Sequence, residues 1–75
     1  MPTSINWQQE ARRLLRAQLV NKDLNYKELS RALEAVGVDE SAKSLSNKIN
    51  RGTFSLVFFL QCMRALGVTS VELGN

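Results

Sequence analysis

Lys43, Ser44, Asn47, Lys48 and Arg51 recur within nine residues at the three-to-four-residue spacing that places side chains on one side of a helix. These residue types suit nucleic acid. Arginine offers two donors to guanine O6 and N7, asparagine pairs with adenine N6 and N7, and lysine and serine reach bases or phosphate oxygens. On a wheel of about 100° per residue, Ala42, Leu45 and Ile49 take the inner side and Lys43, Ser44, Asn47 and Arg51 the outer one, with Lys48 on the flank. Asn47 is the expected base reader. The surrounding charge distribution points the same way: residues 41–71 hold Lys43, Lys48, Arg51 and Arg64 and no acid, whereas residues 1–40 mix six basic with six acidic side chains. Taken alone, a charged face opposite an apolar stripe is also what any solvated helix presents. Glu40 counts against the first reading, because a carboxylate near the helix start complements the helix dipole but repels phosphate.

Other chemistries find little material. The chain has no histidine, its seven carboxylates fall on expected helix surfaces, and its single cysteine, Cys62, lies in the apolar stretch Leu60–Met63, so it is expected to pack in the core. Catalysis, a cofactor and a metal are therefore not expected. One cysteine makes neither an internal disulfide nor a structural zinc site, which suits a reducing compartment. No leader-like segment or long apolar run is seen, so a soluble, cytoplasmic chain with no membrane partner is expected. Trp7, Tyr26, Phe54 and Phe59 are aromatic residues that can stack on bases, but their helical and staple positions assign them to the core.

The elements that must position these residues are helices. Seventy-five residues make one domain, which at this size hides only about 60% of its unfolded surface and needs nearly all its apolar residues. Asn6 with Gln9 predicts a cap for a helix over about 6–20, with Trp7, Ala11, Leu14, Leu15 and Gln18 inward, Arg12, Arg13 and Arg16 outward, and Asn21 as a left-handed terminator. Asn25 with Glu28 predicts a capping box opening a helix over about 26–36 that ends at Gly37. A third helix starts at Asp39 or Ser41 and runs to about 51, before Gly52. Ser55 caps a fourth over about 56–66, with Phe54 and Phe59 at staple spacing and Gly67 closing it. Thr69 with Glu72 predicts a short last turn over 70–73. The fold class is all-α, with four to five helices and no strands.

Tyr26-Lys27-Glu28-Leu29-Ser30-Arg31-Ala32-Leu33, then Gly37-Val38, Asn50-Arg51-Gly52 and Ala65-Leu66-Gly67-Val68, resemble the lambda-repressor-like, Cro/C1-type (XRE-like) helix-turn-helix domains over residues 11–73. The chain is also similar to a bacterial family of short, uncharacterised helix-turn-helix-like proteins, through its early Trp, a Tyr-x-x-Leu helix and the run Asn47 to Ser55. The segment from Gly37 to Gly52 is about two residues longer than the repressor pattern. The resemblance implies a compact helix-turn-helix domain whose third helix enters the major groove of duplex DNA, as a transcriptional regulator of bacterial or phage type. It further implies that Lys27 and Arg31 on the positioning helix touch phosphates, although Arg31 can equally pair with Glu28 or Glu34. Arg12, Arg13 and Arg16 are read as solvated surface. Val57 and Phe58 point away from the expected inner side of helix 4 (Leu56, Phe59, Leu60, Met63 and Leu66), and so mark either a homodimer contact or a helix buried on more than one side. With four to six phosphate contacts, log K falls against log salt with a slope of roughly −4 to −5 per subunit. Two other partners remain open: RNA, and a protein bound by an adaptor of the same fold.

Overall fold

Each of the four helices begins at a side-chain oxygen that accepts from a backbone N–H three residues on. The computed structural model describes residues 4–73. Asn6 accepts from Gln9 N (3.0 Å) to open α1 (Trp7–Asn21), and Asn25 accepts from Glu28 N (2.8 Å) to open α2 (Tyr26–Ala35). The Glu28 carboxylate accepts in return from Asn25 N at 2.9 Å, completing the capping box. Ser41, rather than Asp39, caps α3 (Ala42–Arg51) through Ser44 N at 3.1 Å, and Ser55 caps α4 (Leu56–Leu66) through Phe58 N at 3.0 Å. The helix ends lie within one residue of the expected bounds. The short last turn at 70–73 does not form, and no regular helix follows Gly67 among the described residues. Val71 still packs on the core from this irregular segment.

The helix ends use one device repeatedly. After α2 and α4 the chain turns left-handed at Gly37 and Gly67, and the next N–H returns to a carbonyl one turn back: Val38 to Leu33 and Val68 to Met63, each at 2.9 Å. After α1 the same motif is built without glycine. Asp23, not Asn21, takes the left-handed conformation (φ 57°), with Leu24 N donating to Leu19 O at 2.9 Å. The helix continues through Asn21, and aspartate is among the few non-glycine residues that tolerate this region. Leu24, Val38 and Val68, the residues after these turns, all pack against the core.

α1 and α2 each pack on both α3 and α4. Ten residues form the buried core: Leu15 and Leu19 from α1, Leu29 and Leu33 from α2, Leu45 and Ile49 from α3, and Phe58, Cys62, Met63 and Leu66 from α4. Phe54 and Phe59 stack with ring centroids 6.5 Å apart and planes 8° from parallel, fixing how the chain enters α4. α4 is rotated from its expected orientation. Leu56 and Leu60, expected inward, are 70% and 57% exposed, while Phe58, expected off that inner side as a dimer contact or a second buried face, is 5% exposed and so is not a surface contact. Burying Phe58 with Cys62 and Leu66 follows the four-residue ridge of the helix, and Phe58 also meets Phe54 at 5.8 Å. In α1, Trp7 departs from expectation at 71% exposed, and Leu19 takes the buried place further along the helix. Trp7 is the first residue of α1, about two turns before the level at which Leu15 meets the core.

Gly52 joins two of these elements at backbone distance. Its φ is +70°, and a Cβ there would lie 2.7 Å from the Gln8 carbonyl carbon and 3.1 Å from the Gln8 Cα, overlapping the carbonyl oxygen. The first turn of α1 therefore rests directly on the end of α3. Gly67 has nearly the same φ, 71°, but open space around it. Gly67→Ala should accordingly cost about 1–2 kcal/mol from the left-handed backbone alone. Gly52→Ala adds overlap with backbone that cannot rotate away, for a total of about 2–4 kcal/mol. Thermal denaturation of the two variants measures the difference. Equal losses would mean that α1 and α3 do not meet in this way.

Candidate nucleic-acid interface

α3 is amphipathic because Leu45 and Ile49 are fully buried, which turns the opposite arc to solvent. Lys43, Asn47, Asn50 and Arg51 are exposed on that arc, and none of its residues is acidic. Three of the residues expected there, Lys43, Asn47 and Arg51, are thus together. Asn50 was not among them; seven residues after Lys43, it lies next to Lys43 on the wheel, and the same periodicity that placed Asn47 would have found it. Its side-chain amide donates to Ser46 Oγ at 3.2 Å.

Ser44 is placed differently from expectation, and Lys48 lies on the flank as expected but is engaged there rather than free. Both are half-buried on the flank of α3, where the Glu40 carboxylate accepts from Ser44 Oγ (2.8 Å) and from Lys48 Nζ. Lys48 Nζ also stands 5.1 Å from the centre of the Phe58 ring on α4, within cation–π range. These contacts take Ser44 and Lys48 out of the solvent arc and give them a structural role. Glu40 precedes the cap of α3 and is itself anchored, since Ser30 Oγ on α2 donates to its backbone carbonyl at 2.5 Å. The carboxylate that seemed to oppose phosphate is therefore engaged by a lysine and a serine. Asp39 beside it is exposed, so negative charge sits at the N-terminal end of α3.

The other end of α3 is completed by a residue expected to be solvated. Arg12 Nη1 donates to the Asn50 carbonyl oxygen at 3.0 Å, across 38 residues of sequence. A guanidinium there satisfies one of the helix's last carbonyls and offsets the negative end of its dipole. No local signal announces this contact, because it exists only once α1 lies on α3. Arg13, by contrast, pairs with Glu10 at 2.8 Å on its own helix, and Arg16 is exposed.

On α2, Lys27 and Arg31 are exposed on the side away from Leu29 and Leu33. The ion pairs among the described residues are Arg13–Glu10 and Lys48–Glu40, so Arg31 joins neither Glu28 nor Glu34. α2 and α3 are in contact but joined by six residues, 36–41, where a helix-turn-helix turn has three or four. The extra length noted in the sequence lies in this turn. On α4, Val57 is exposed and remains available as a contact, whereas Phe58 is not: it is core. Leu56 and Leu60 join Val57 in an exposed apolar stripe. Cys62 is fully buried, and burial pushes its thiol up to about 12, so it is inert. No group of three or more potential metal ligands occurs, and no helix is long and apolar enough to cross a membrane, among the described residues.

Fold and surface together define a small four-helix domain that presents one acid-free basic helix face. The chain belongs to DUF6471, a domain of unknown function, which matches residues 7–71 and so spans all four helices. No curated protein and no solved structure matches it.

The Glu40 contacts yield a pH dependence. The hydrogen bond from Lys48, then that from Ser44, holds the Glu40 carboxyl below its ordinary range. A carboxyl depressed in the folded state stabilises the protein above its ordinary pKa, and that stability is lost as pH falls through the depressed value. Glu40→Gln should therefore cost roughly 1 kcal/mol at pH 7, a partly exposed ion pair with two hydrogen bonds being worth about that. The cost should vanish in acid. Melting curves of both proteins between pH 7 and pH 2.5 check this, and a gap that stays constant with pH would mean that Glu40 is not ionically engaged.

Proposed function

We propose that this domain binds duplex DNA through the exposed arc of α3, with α2 resting on the phosphate backbone, as a helix-turn-helix-like regulatory module. One observation carries the reading: Lys43, Asn47, Asn50 and Arg51 share a solvent face without a carboxylate, on a ten-residue helix held by its opposite side. A rigid helix of this size fits the major groove, which is about 12 Å wide. Asn47 and Arg51 carry the groups that read adenine and guanine edges, and Lys43, Lys27 and Arg31 supply phosphate contacts. Asp39 puts negative charge just before α3, so the reading end is the C-terminal half of the helix with Asn47 and Arg51, and Lys43 in the first turn reaches outward to the strand. The motif resemblance to repressor domains supports the use of α3 but not this choice of end, since those domains read base edges with the N-terminal residues of the recognition helix.

A second reading rests on the exposed Leu56, Val57 and Leu60 of α4, which suit an apolar partner surface better than a nucleic acid. Such a stripe serves either a protein-binding adaptor or the pairing of two copies on adjacent half-sites.

Fluorescence anisotropy with labelled random duplex DNA, single-stranded RNA and selected duplex sites, at several salt concentrations, separates these readings. Four cations, Lys27, Arg31, Lys43 and Arg51, predict a slope of log K against log salt of roughly −3.5 per subunit. Arg51→Ala should flatten it by about 1, and Asn47→Ala should weaken a selected site roughly tenfold while leaving random duplex unaffected. Absence of binding to any nucleic acid at low salt would leave the adaptor reading in its place, and preference for single-stranded RNA would replace DNA as the partner.

A further inference from the structure

Trp7 is the largest aromatic side chain of the protein and is 71% exposed, which no packing requirement explains. Its position is fixed by the contact between α1 and α3. Gln8, its neighbour, lies with its Cα 3.1 Å from where a Gly52 Cβ would be, and Gly52 follows Arg51. Consecutive Cα atoms are about 3.8 Å apart, so the Cα atoms of Trp7 and Arg51 are separated by no more than about 12 Å. That distance is about one major-groove width. A duplex that touches Arg51 with one strand on the α1 side therefore has that strand beside the start of α1, where Trp7 is exposed.

The charges around Trp7 favour such a neighbour. Glu10, the acidic residue of the first turn of α1, is paired with Arg13 at 2.8 Å, and the guanidinium of Arg12 lies on Asn50 between the two helices. The free carboxylate nearest α3 in sequence, Asp39, is at the opposite end of that helix. An exposed indole combines an apolar face with one N–H donor, the combination that suits a surface part apolar and part wet. A deoxyribose with its phosphate is such a surface.

We propose that Trp7 is part of the DNA interface, its indole face lying on a deoxyribose of the strand beside α3 and its Nε1–H donating to a phosphate oxygen. This rests on the reading of α3 given above and adds to it a contact from α1 that is independent of base sequence. Being uncharged, the indole displaces no counterion, so its contribution is separable from those of the cations.

The chain has one tryptophan, so emission excited beyond the absorption band of Tyr26 reports this residue alone. Titration with duplex DNA should quench that emission with the midpoint seen by anisotropy. Trp7→Ala should weaken binding about five- to tenfold, alike for selected and random duplexes, with the salt slope unchanged. Trp7→Phe, which keeps a ring but lacks the N–H, should fall between. Circular dichroism and melting of both variants should match the parent, since an exposed side chain is being replaced; should either variant unfold, the emission of the parent protein decides. Unchanged emission while anisotropy reports binding, with Asn47→Ala and Arg51→Ala still weakened, overturns the role of Trp7 and leaves α3 as the interface. Stronger quenching by single-stranded than by duplex DNA overturns it in favour of base stacking. Failure of every nucleic acid to bind overturns both.

Discussion

The backbone approach of Gly52 to Gln8 is the constraint from which the geometry of the exposed face follows. A helix with two fully buried side chains, Leu45 and Ile49, is held against the core but is free to tilt about that line. Contact between the end of α3 and the first turn of α1 removes the tilt at one end, and only a residue lacking Cβ permits it. Arg12 on the Asn50 carbonyl closes the same junction. At the other end, Glu40 ties α3 to α2 through Ser30 and, by way of Lys48, to the Phe58 ring on α4. α3 is thereby fixed at both ends by polar or steric contacts and in the middle by apolar burial.

These fixings sort the polar residues of α3 into two sets. Ser44 and Lys48 face the flank and stabilise the fold, whereas Lys43, Asn47, Asn50 and Arg51 have no structural duty in their charged or donor groups beyond the bond from Asn50 to Ser46. A small domain that must bury nearly every apolar side chain has little reason to expose Trp7, Leu56, Val57 and Leu60. Unspent groups of both kinds are what an interface requires, and they occupy separate elements: donors on α3, apolar surface on α4, and an amphipathic indole at the start of α1.

Much of the fold was legible in the sequence because its signals are local. Four caps, the Asn25–Glu28 box, the Phe54–Phe59 staple and glycines 37, 52 and 67 act within a few residues, and each sits where its chemistry places it. The inner side of α3 was equally plain, since only Ala42, Leu45 and Ile49 are apolar there. α4 was not, because six of its first seven residues other than Gln61 are apolar or nearly so, and a helix that is apolar all round carries no phase. Its rotation is decided by Phe58 meeting Phe54 and Lys48, which are tertiary contacts. Arg12 on Asn50, Glu40 with Lys48 and the exposure of Trp7 were illegible for the same reason: each depends on two elements meeting. Asp23 in place of Asn21 was a matter of one helix running slightly longer than its cap residues implied.

The most direct test of a DNA-reading α3 is a map of amide and side-chain NMR shifts as a short duplex is added to isotope-labelled protein at low salt. With α3 as the interface, the shifted signals trace Lys43, Asn47, Asn50 and Arg51, with Lys27 and Arg31 at the border and the α4 stripe unmoved. Shifts gathered on Leu56, Val57 and Leu60, or none at all, would contradict it.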